Sequence, residues 1–296
     1  MAASPRPYSR GWALASAIPA VLVLALAAWA RSPAPARTAP PSPGSAATAV
    51  PPVAVVPAAD QGLAAEVGGY RLESAVAELP AGRPVGYPFS VTGPDGRTVT
   101  DFADVQTKKV HFYAIRSDLT GYQHLHPAMA PDGGWTADLA ALDPGSWRLY
   151  AAFTPATGPR KGRETVLSRT VTVPGAAATA PLPAAAGSAT ADGHTVALQV
   201  APAAGGSHRI TATVSADGRP VTDLQPYLDS YAHLSAFHEG DQALAHLHPM
   251  NPVTGNGGGP VLTFHAMLGS PGNWRLFLQF QTGGQVHTAA LTIRIP

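Results

Sequence analysis

The stretch from Gly96 to Pro127 reads GRTVTDFADVQTKKVHFYAIRSDLTGYQHLHP, and the stretch from Gly218 to Pro249 reads GRPVTDLQPYLDSYAHLSAFHEGDQALAHLHP. The two stretches align without a gap at a constant offset of 122 residues, and each ends in His-Leu-His-Pro. Each also has a histidine thirteen residues before the first histidine of that motif. The duplicated histidines are His111, His124 and His126 in the first copy and His233, His246 and His248 in the second.

The match continues downstream at an offset of 127 residues, where Pro144 to Leu149 corresponds to Pro271 to Leu276. Five residues are therefore inserted between the matched blocks, around Val253 to Pro260, and the glycine run there predicts a loop. The sequence predicts two homologous domains of about 100 residues each, a common domain size. We place them at residues 60–174 and 192–296, with a Pro/Ala-rich linker at 175–191.

The apolar pattern of both domains alternates from residue to residue, and turn residues interrupt it at the spacing of short antiparallel strands. It predicts an all-β fold of two immunoglobulin-like or cupredoxin-like sandwiches in tandem. Alternation along the tryptophan-containing strands places one set of side chains in each core. These residues are Trp147, Leu149, Ala151 and Phe153 in the first domain, and Trp274, Leu276, Leu278 and Phe280 in the second.

The N-terminal residues 1–31 form an export segment, because nineteen uncharged residues from Trp12 to Ala30 follow two arginines. This length approaches that of a membrane span, so we expect an uncleaved anchor. Ala28-Trp29-Ala30 resembles a cleavage site, and a cleaved signal peptide is the alternative. Residues 32–59 are mostly Pro, Ala, Ser and Thr, which predicts a disordered stalk. The rest of the chain is expected at the extracytoplasmic face of the membrane, or secreted.

Composition excludes several classes of function. The net charge is +1 without a basic block, so a nucleic-acid partner is not expected. The chain has no cysteine, which removes disulfides and thiolate ligands. Neither a Ser/His/Asp arrangement nor a Gly-x-Ser-x-Gly motif is visible, and we expect no enzymatic activity.

The turn sequence of the second copy predicts which histidines lie opposite each other in its hairpin. Glu239-Gly240-Asp241-Gln242 is typical of a tight hairpin turn with Gly240 at positive φ, in which case the numbers of opposed residues sum to 481. His233 then faces His248, and Ser235 faces His246. All three histidines share one face of the sheet, where their rings are close enough to bind one ion.

Three imidazoles on one face suit Zn(II) or Cu(II). Met250 directly follows the second motif and Met129 lies close behind the first, and a thioether donor favours copper. The sequence therefore predicts a copper site, with zinc possible. Ser117 to Thr120 is a poorer tight turn, so the register of the corresponding first-domain site is less secure.

His287 is a candidate fourth ligand in the second domain only, because its counterpart in the first is Thr165. Alternation argues against this role, since it groups His287 with Leu291 and Ile293 on the core face. A bulge or a position at the strand end would be needed for His287 to reach the site.

The segments from Tyr231 to Asp241, His246 to Pro249 and Gln285 to Ala289 resemble exported bacterial proteins of the YtkA-like and FixH-like type. The resemblance covers the second domain well and the first partly. It implies a small all-β module associated with copper or heavy-metal handling, with His233, His246, His248 and His287 as the residues to carry over. Thr165 departs from the pattern.

Two functions follow. In the first, the chain is a membrane-tethered metal-binding protein, acting as scavenger, sensor or metal donor to a neighbouring membrane protein. In the alternative, it is an adhesion or assembly module that presents sandwich loops to a protein partner, and the histidines only decorate a face.

Overall fold

The computed structural model describes residues 61–255 and 257–296, apart from the side chains of His246 and His248. The predicted export segment at 1–31 and stalk at 32–59 lie outside the described residues. Within the described part, no helix combines the length and the apolar character needed to cross a membrane. The predicted all-β tandem fold is confirmed, and the one helical element with described bounds is a short 3-10 turn at Ala204–Gly206.

The first repeat is a sandwich of two antiparallel sheets, with strand orders β1-β2-β3-β7 and β4-β8-β5-β6, and with β9 paired to β8. The strands are β1 (Glu66–Val67), β2 (Tyr70–Glu73), β3 (Val85–Thr92), β4 (Phe102–Ala103), β5 (Val110–Arg116), β6 (Gln123–Leu125), β7 (Trp135–Leu139), β8 (Gly145–Pro155) and β9 (Thr165–Val173).

Eight strands of the second repeat are equivalent to strands of the first, but its two layers join into one sheet of order β10-β11-β12-β16-β15-β14-β17-β18. The ninth strand, β13, pairs with β12 and is not equivalent to β4, which pairs with β8. The layers join because β15 is longer than its counterpart β6 and pairs with β16. The strands are β10 (Ser188–Ala191), β11 (His194–Pro202), β12 (His208–Ala216), β13 (Arg219–Pro220), β14 (Ala232–His238), β15 (Leu244–Pro249), β16 (Val261–Ala266), β17 (Gly272–Thr282) and β18 (Gln285–Ile295).

The hairpins that carry the histidines have the same register in both repeats. Ser235 lies opposite His246 in the second repeat, as the 481 sum predicts, and Tyr113 lies opposite His124 at the equivalent position of the first. The turn of the second hairpin is wider than predicted. Gly240 has the expected positive φ of 98°, but Gln242 also has φ 62°, and Asp241 Oδ1 accepts a hydrogen bond of 2.9 Å from Ala243 N.

Each repeat has its own apolar core, and the predicted core faces are confirmed. Trp147 and Trp274 are 2% and 1% exposed. Each indole Nε1 donates to the backbone carbonyl four residues before it, at 2.8 Å to Asp143 and 3.0 Å to Ser270. Fully burying large apolar side chains of this kind contributes roughly 1.5–3 kcal/mol each, so these strands stabilise the sandwiches.

A third apolar cluster joins the repeats. It lies on the outer faces of β5, β8, β14 and β17, which pack against each other, and we call it the interface cluster. Its buried members are Tyr113, Ile115, Leu119, Tyr150, Ala152, Val166, Phe237, Leu244 and Phe277. Both faces of β5 are therefore buried, one in the core of the first repeat and the other against the second repeat.

Candidate functional site

The first-repeat histidines lie at the edge of the interface cluster. His111 belongs to β5, whose alternate residues Val110 and Phe112 point into the core, so its ring points to the outer face. One ring nitrogen from each of His111, His124 and His126 lies within 4.8 Å of the other two. Within the described residues this is the one group of three His, Asp or Glu side chains with such spacing. The structure thus brings the predicted first trio together.

Hydrogen bonds fix the orientation of two of these rings. His111 Nε2 donates to the carbonyl oxygen of Val105 at 2.9 Å, because a carbonyl can only accept. His124 Nδ1 lies 2.7 Å from Oε1 of Gln279, a residue of the second repeat. The remaining nitrogens, His111 Nδ1 and His124 Nε2, lie 3.1 Å apart.

His126 completes the trio from the end of the same hairpin. Its ring centre lies 5.0 Å from that of His111 and 4.5 Å from that of His124. The Nε2 atom is buried and has no hydrogen-bond partner among the described residues. Such an atom normally finds a donor, an acceptor or an ion.

Burial keeps the rings of His124 and His126 neutral. The pKa of His126 is lowered to about 3, chiefly because burial disfavours its charged form. Repulsion by the positive charges of His111, Lys108 and His233 lowers it further. Desolvation also lowers the pKa of His124 well below 6.5, although its hydrogen bond to Gln279 acts in the opposite direction. Neutral imidazole is the form that binds metal ions.

His233 approaches the trio from β14 of the second repeat. It is 5% exposed, and its ring centre lies 6.1 Å from that of His124. His233 Nε2 donates to the carbonyl of Tyr227 at 2.8 Å, and His233 Nδ1 lies 3.1 Å from Oε1 of Gln106 in the first repeat. The contacts His124–Gln279 and His233–Gln106 therefore both cross between the repeats.

The other second-repeat ligands predicted from the sequence are only partly described. The backbone places His246 opposite Ser235 on β14 and His248 opposite His265 on β16. Their side chains lie outside the described residues, so the predicted trio of His233, His246 and His248 stays a prediction.

The structure places His287 away from the site. It pairs with Phe280 across β17 and β18 and faces the core of the second repeat, whereas His233 pairs with Gln279 and faces the interface. His287 Nδ1 contacts Asp192 Oδ2 at 3.0 Å, and its ring centre lies 4.6 Å from that of His194. Strand alternation therefore prevents His287 from joining His233, and no bulge interrupts its pairing with β17.

The methionines do not extend the described cluster. Met250 is 54% exposed, and its backbone nitrogen donates to Thr263. Met129 packs against the apolar core of the first repeat, which is the common role of a buried methionine. The soft donor that favoured copper is thus not found beside the trio.

Three residues at the site were missed from the sequence. Gln279 and Gln106 reach the histidines from the opposite repeat, and neither has a glutamine at the equivalent position of the other copy. Tyr113 stacks on His124, with ring centres 4.4 Å apart and planes at 17°. A signal for Tyr113 existed, because the run Val110–Arg116 is apolar at nearly every position, as in strands covered on both faces.

The amino-acid sequence matches one protein family, once over each repeat. The chain matches the family described as "Domain of unknown function (DUF8832)" over residues 65–174 and again over residues 189–296. None of the curated proteins matches the chain.

Three solved structures illustrate similarity to other proteins. An Escherichia coli adhesin, FdeC, is 15% identical with a TM-score of 0.25, over 77% of this chain and 64% of that one. A DUF4785 family protein from Legionella pneumophila is 15% identical with a TM-score of 0.25, over 77% and 56%. Domains 4 and 5 of the S-layer protein SbsC are 12% identical with a TM-score of 0.21, over 78% and 99%. The chain spans less than two thirds of the adhesin and of the Legionella protein.

Proposed function

The chain belongs to the DUF8832 family, and we propose that it is an extracytoplasmic, non-enzymatic protein that binds a transition-metal ion through His111, His124 and His126. Residues 1–31 would anchor it at the membrane. In this position it would act as a scavenger or sensor, or as a metal donor to a neighbouring membrane protein. The resemblance to YtkA-like and FixH-like proteins agrees with this role and stays a prediction.

The observation that carries the proposal is the orientation of two rings. His111 Nε2 and His124 Nδ1 both face oxygen atoms, so both carry the proton of a neutral ring. The amide of Gln279 is oriented by the contact of its Nε2 with Thr288 Oγ1 at 3.5 Å. Lone pairs therefore remain on His111 Nδ1 and His124 Nε2, which lie 3.1 Å apart. Two lone pairs cannot hydrogen-bond to each other, whereas a cation between them accepts both.

The distances suit such a cation. Two nitrogens bound to one zinc ion at about 2.0–2.1 Å in a tetrahedron lie about 3.3 Å apart. The outer nitrogens donate to a carbonyl and to an amide oxygen, which is the usual support of metal-binding histidines. His126 adds a third donor from a buried, unpartnered Nε2.

The donor set suits both copper and zinc. Without a thioether among the described residues of the cluster, the argument for Cu(I) is weaker, and nitrogen donors favour Cu(II) or Zn(II). Copper(II) binds nitrogen sites more tightly than zinc by the general order of divalent-metal affinities. We therefore expect copper to bind more tightly in solution, with zinc as its competitor.

The direct test is a titration of the metal-free chain with Cu(II) and with Zn(II), followed by calorimetry or a competing chelator. His124→Gln and His126→Gln should each weaken binding by about 100-fold or more, since even supporting residues of such sites contribute 10- to 100-fold. The matched control is His194→Gln, which changes a histidine outside the cluster. If the wild-type chain binds neither ion more tightly than His124→Gln, the proposal is wrong.

The alternative, an adhesion or assembly module, is favoured by a different observation. The two repeats are held together by the interface cluster and by bonds such as Tyr150 Oη to the Gln242 carbonyl at 2.5 Å. A pair of sandwiches fixed in this way presents its loops to a partner in a constant arrangement, and the histidines then serve as a polar contact between repeats. In that case His124→Gln would reduce stability without any metal-dependent effect.

A further inference from the structure

We infer that a cleft between β6 and β7 is the route by which a metal ion enters and leaves the first-repeat trio, and that Asp138 attracts the ion to this cleft. The inference rests on the proposed function and deepens it. It assigns the trio to the exchange of metal, which a donor to another protein needs, instead of permanent storage.

The cleft reaches the trio at His126. It has a volume of about 510 Å³ and is lined by Leu125, His126, Pro127, Ala128, Thr136 and Asp138. The ring centre of His126 lies 4.5 Å from that of His124 and 5.0 Å from that of His111. His126 therefore connects the cleft to the other two rings, and its buried Nε2 has no hydrogen-bond partner within the described part of the chain.

The equivalent strands of the second repeat leave no such gap. There, β15 pairs with β16 through Leu247–Pro249 and Phe264–Ala266. At the offsets of 122 and 127 residues, these segments correspond to Leu125–Pro127 and Ala137–Leu139. Among the described residues of the first repeat, these two segments do not pair, and the cleft lies where their ladder would be. The first repeat therefore differs from the second by an opening beside its histidines.

Contacts on both sides of the opening fix its position. Beyond one end, Met129 is bridged to Trp135 in the antiparallel sense. At the other end, Ala140 N donates to the side-chain oxygen of Gln123 at 2.8 Å. The residue equivalent to Gln123 in the second repeat is Ala245, whose methyl group cannot make this bond. The opening is therefore part of the fold of the first repeat.

Asp138 gives the cleft a negative charge. It is exposed on β7, and its equivalent in the second repeat is His265. Its carboxylate lies outside the group of ligand atoms that are within 4.8 Å of one another, so it attracts a cation without belonging to the trio. The positive charge of Lys108 also acts on His126, and Asp138 offsets this charge at the cleft.

The experiment measures how fast Zn(II) and Cu(II) bind to the metal-free full chain, and how fast an excess of chelator removes them. Thr136→Phe places a large side chain in the cleft at an exposed strand position, and Thr170→Phe makes the same change at an exposed position of β9. We expect Thr136→Phe to slow both binding and release by about tenfold and to leave the affinity unchanged, because an obstacle on the path raises the barrier equally in both directions. Thr170→Phe should match the wild type.

Asp138→Asn tests the attraction separately. It should slow binding by about threefold at low ionic strength, and the difference should disappear at about 1 M salt, where charges are screened. Asp217→Asn, in an exposed turn of the second repeat, is the matched control and should bind metal at the wild-type rate.

The outcomes separate the two proposals. If the wild-type chain binds neither ion, the proposed function itself fails. If it binds metal and Thr136→Phe exchanges the ion at the wild-type rate, the cleft is not the route and the proposed function survives. A loss of affinity through faster release would also overturn the inference, because Thr136→Phe would then act on the site and not on the path. Thermal unfolding of each metal-free variant checks folding. Should Thr136→Phe not fold, an unchanged binding rate in Asp138→Asn would still count against the cleft.

Discussion

The two histidine hairpins have the same backbone register but different chemistry at their tips. In the first, Asp118 accepts hydrogen bonds from Arg116 Nη2 at 2.6 Å, Thr120 Oγ1 at 2.6 Å and the linker nitrogen of Ala180 at 3.0 Å. In the second, His238 Nδ1 contacts Asp241 Oδ1 at 2.8 Å. The Arg116 and Asp118 side chains are 11% and 7% exposed, whereas Asp241 is 43% exposed. The register of a repeat can thus persist while the interactions that stabilise its turn are replaced.

The interface differs in the same way. The first repeat contributes Tyr113, Tyr122 and Tyr150, and the second contributes Ser235 and Phe277 at facing positions. Tyr122 stacks on Phe277, with ring centres 4.1 Å apart and planes at 7°, and its hydroxyl lies 3.1 Å from Ser235 Oγ. The duplicated surfaces have therefore diverged, because the first repeat contributes tyrosines to the interface cluster and the second contributes Phe237 and Phe277.

The largest expected effect tests whether the two cores are equivalent. Trp147→Ala and Trp274→Ala should each lower the free energy of unfolding by about 3–5 kcal/mol, because each removes a fully buried indole and leaves a cavity. The repeats share the interface cluster, so we expect one unfolding transition that both substitutions shift. Urea unfolding followed by circular dichroism measures this. Val261→Ala, at a 46% exposed position, is the control, and two separate transitions would contradict the expectation.

The next effect compares the two hairpin tips. Asp118→Asn leaves Arg116 buried without its charged partner and should cost about 3 kcal/mol, whereas Asp241→Asn in the exposed turn should cost less than about 1 kcal/mol. Urea unfolding measures the free energy of unfolding of both variants. Equal losses would show that the burial of Asp118 does not make its interactions more stabilising than those of Asp241.

Acid unfolding sharpens this comparison. Burial alone raises the pKa of Asp118, but the hydrogen bonds from Arg116, Thr120 and Ala180 outweigh it and lower the pKa below its ordinary value. The ionised carboxylate therefore contributes stability above the unfolded pKa of about 3.9, and this is lost as pH falls through the folded value. Asp118→Asn should remove that part of the pH dependence below pH 4.

A third prediction concerns the neutral histidines of the first repeat. The pKa of His126 is about 3 in the folded chain and about 6.5 in the unfolded chain. As the pH falls below about 6.5, His126 is therefore protonated only in the unfolded chain, which favours unfolding. The metal-free protein should lose up to about 2 kcal/mol between pH 7 and pH 5, before solvent screening reduces it. His126→Gln should flatten this slope in urea unfolding, and His194→Gln should not. A slope that His126→Gln leaves unchanged would mean that another group causes it.

The local part of this structure could be predicted from the sequence. The alternation of apolar residues predicted that Trp147 and Trp274 face the cores. The expected turn at Gly240, with opposed residue numbers that sum to 481, predicted the correct strand register of the second hairpin. These features depend on residues close together in the chain. Alternation also placed His287 on the core face, against its proposed role as a ligand.

The contacts between the repeats could not be predicted in this way. They depend on which outer faces pack together, and contacts such as His124–Gln279 join residues 155 positions apart. No pattern within one repeat specifies such a pairing, because the same face could equally be exposed to solvent. The nearly continuous apolar run of β5 indicated that its outer face is covered, but it did not identify what covers it.

The smallest expected effect isolates a single bond between the repeats. Tyr150 has Phe277 as its counterpart, and its hydroxyl donates to the Gln242 carbonyl at 2.5 Å. Tyr150→Phe keeps the ring in the interface cluster and removes only this bond, so it should cost about 1 kcal/mol. Tyr122→Phe, which removes the contact with Ser235, is the matched comparison, and urea unfolding of both variants and of the pair measures them. If the double variant costs as much as the sum, the two hydroxyls act independently and the interface is stabilised chiefly by its apolar packing. If the double variant costs less than the sum of the single variants, the tyrosines of the first repeat form one cooperative set, which the second repeat lacks.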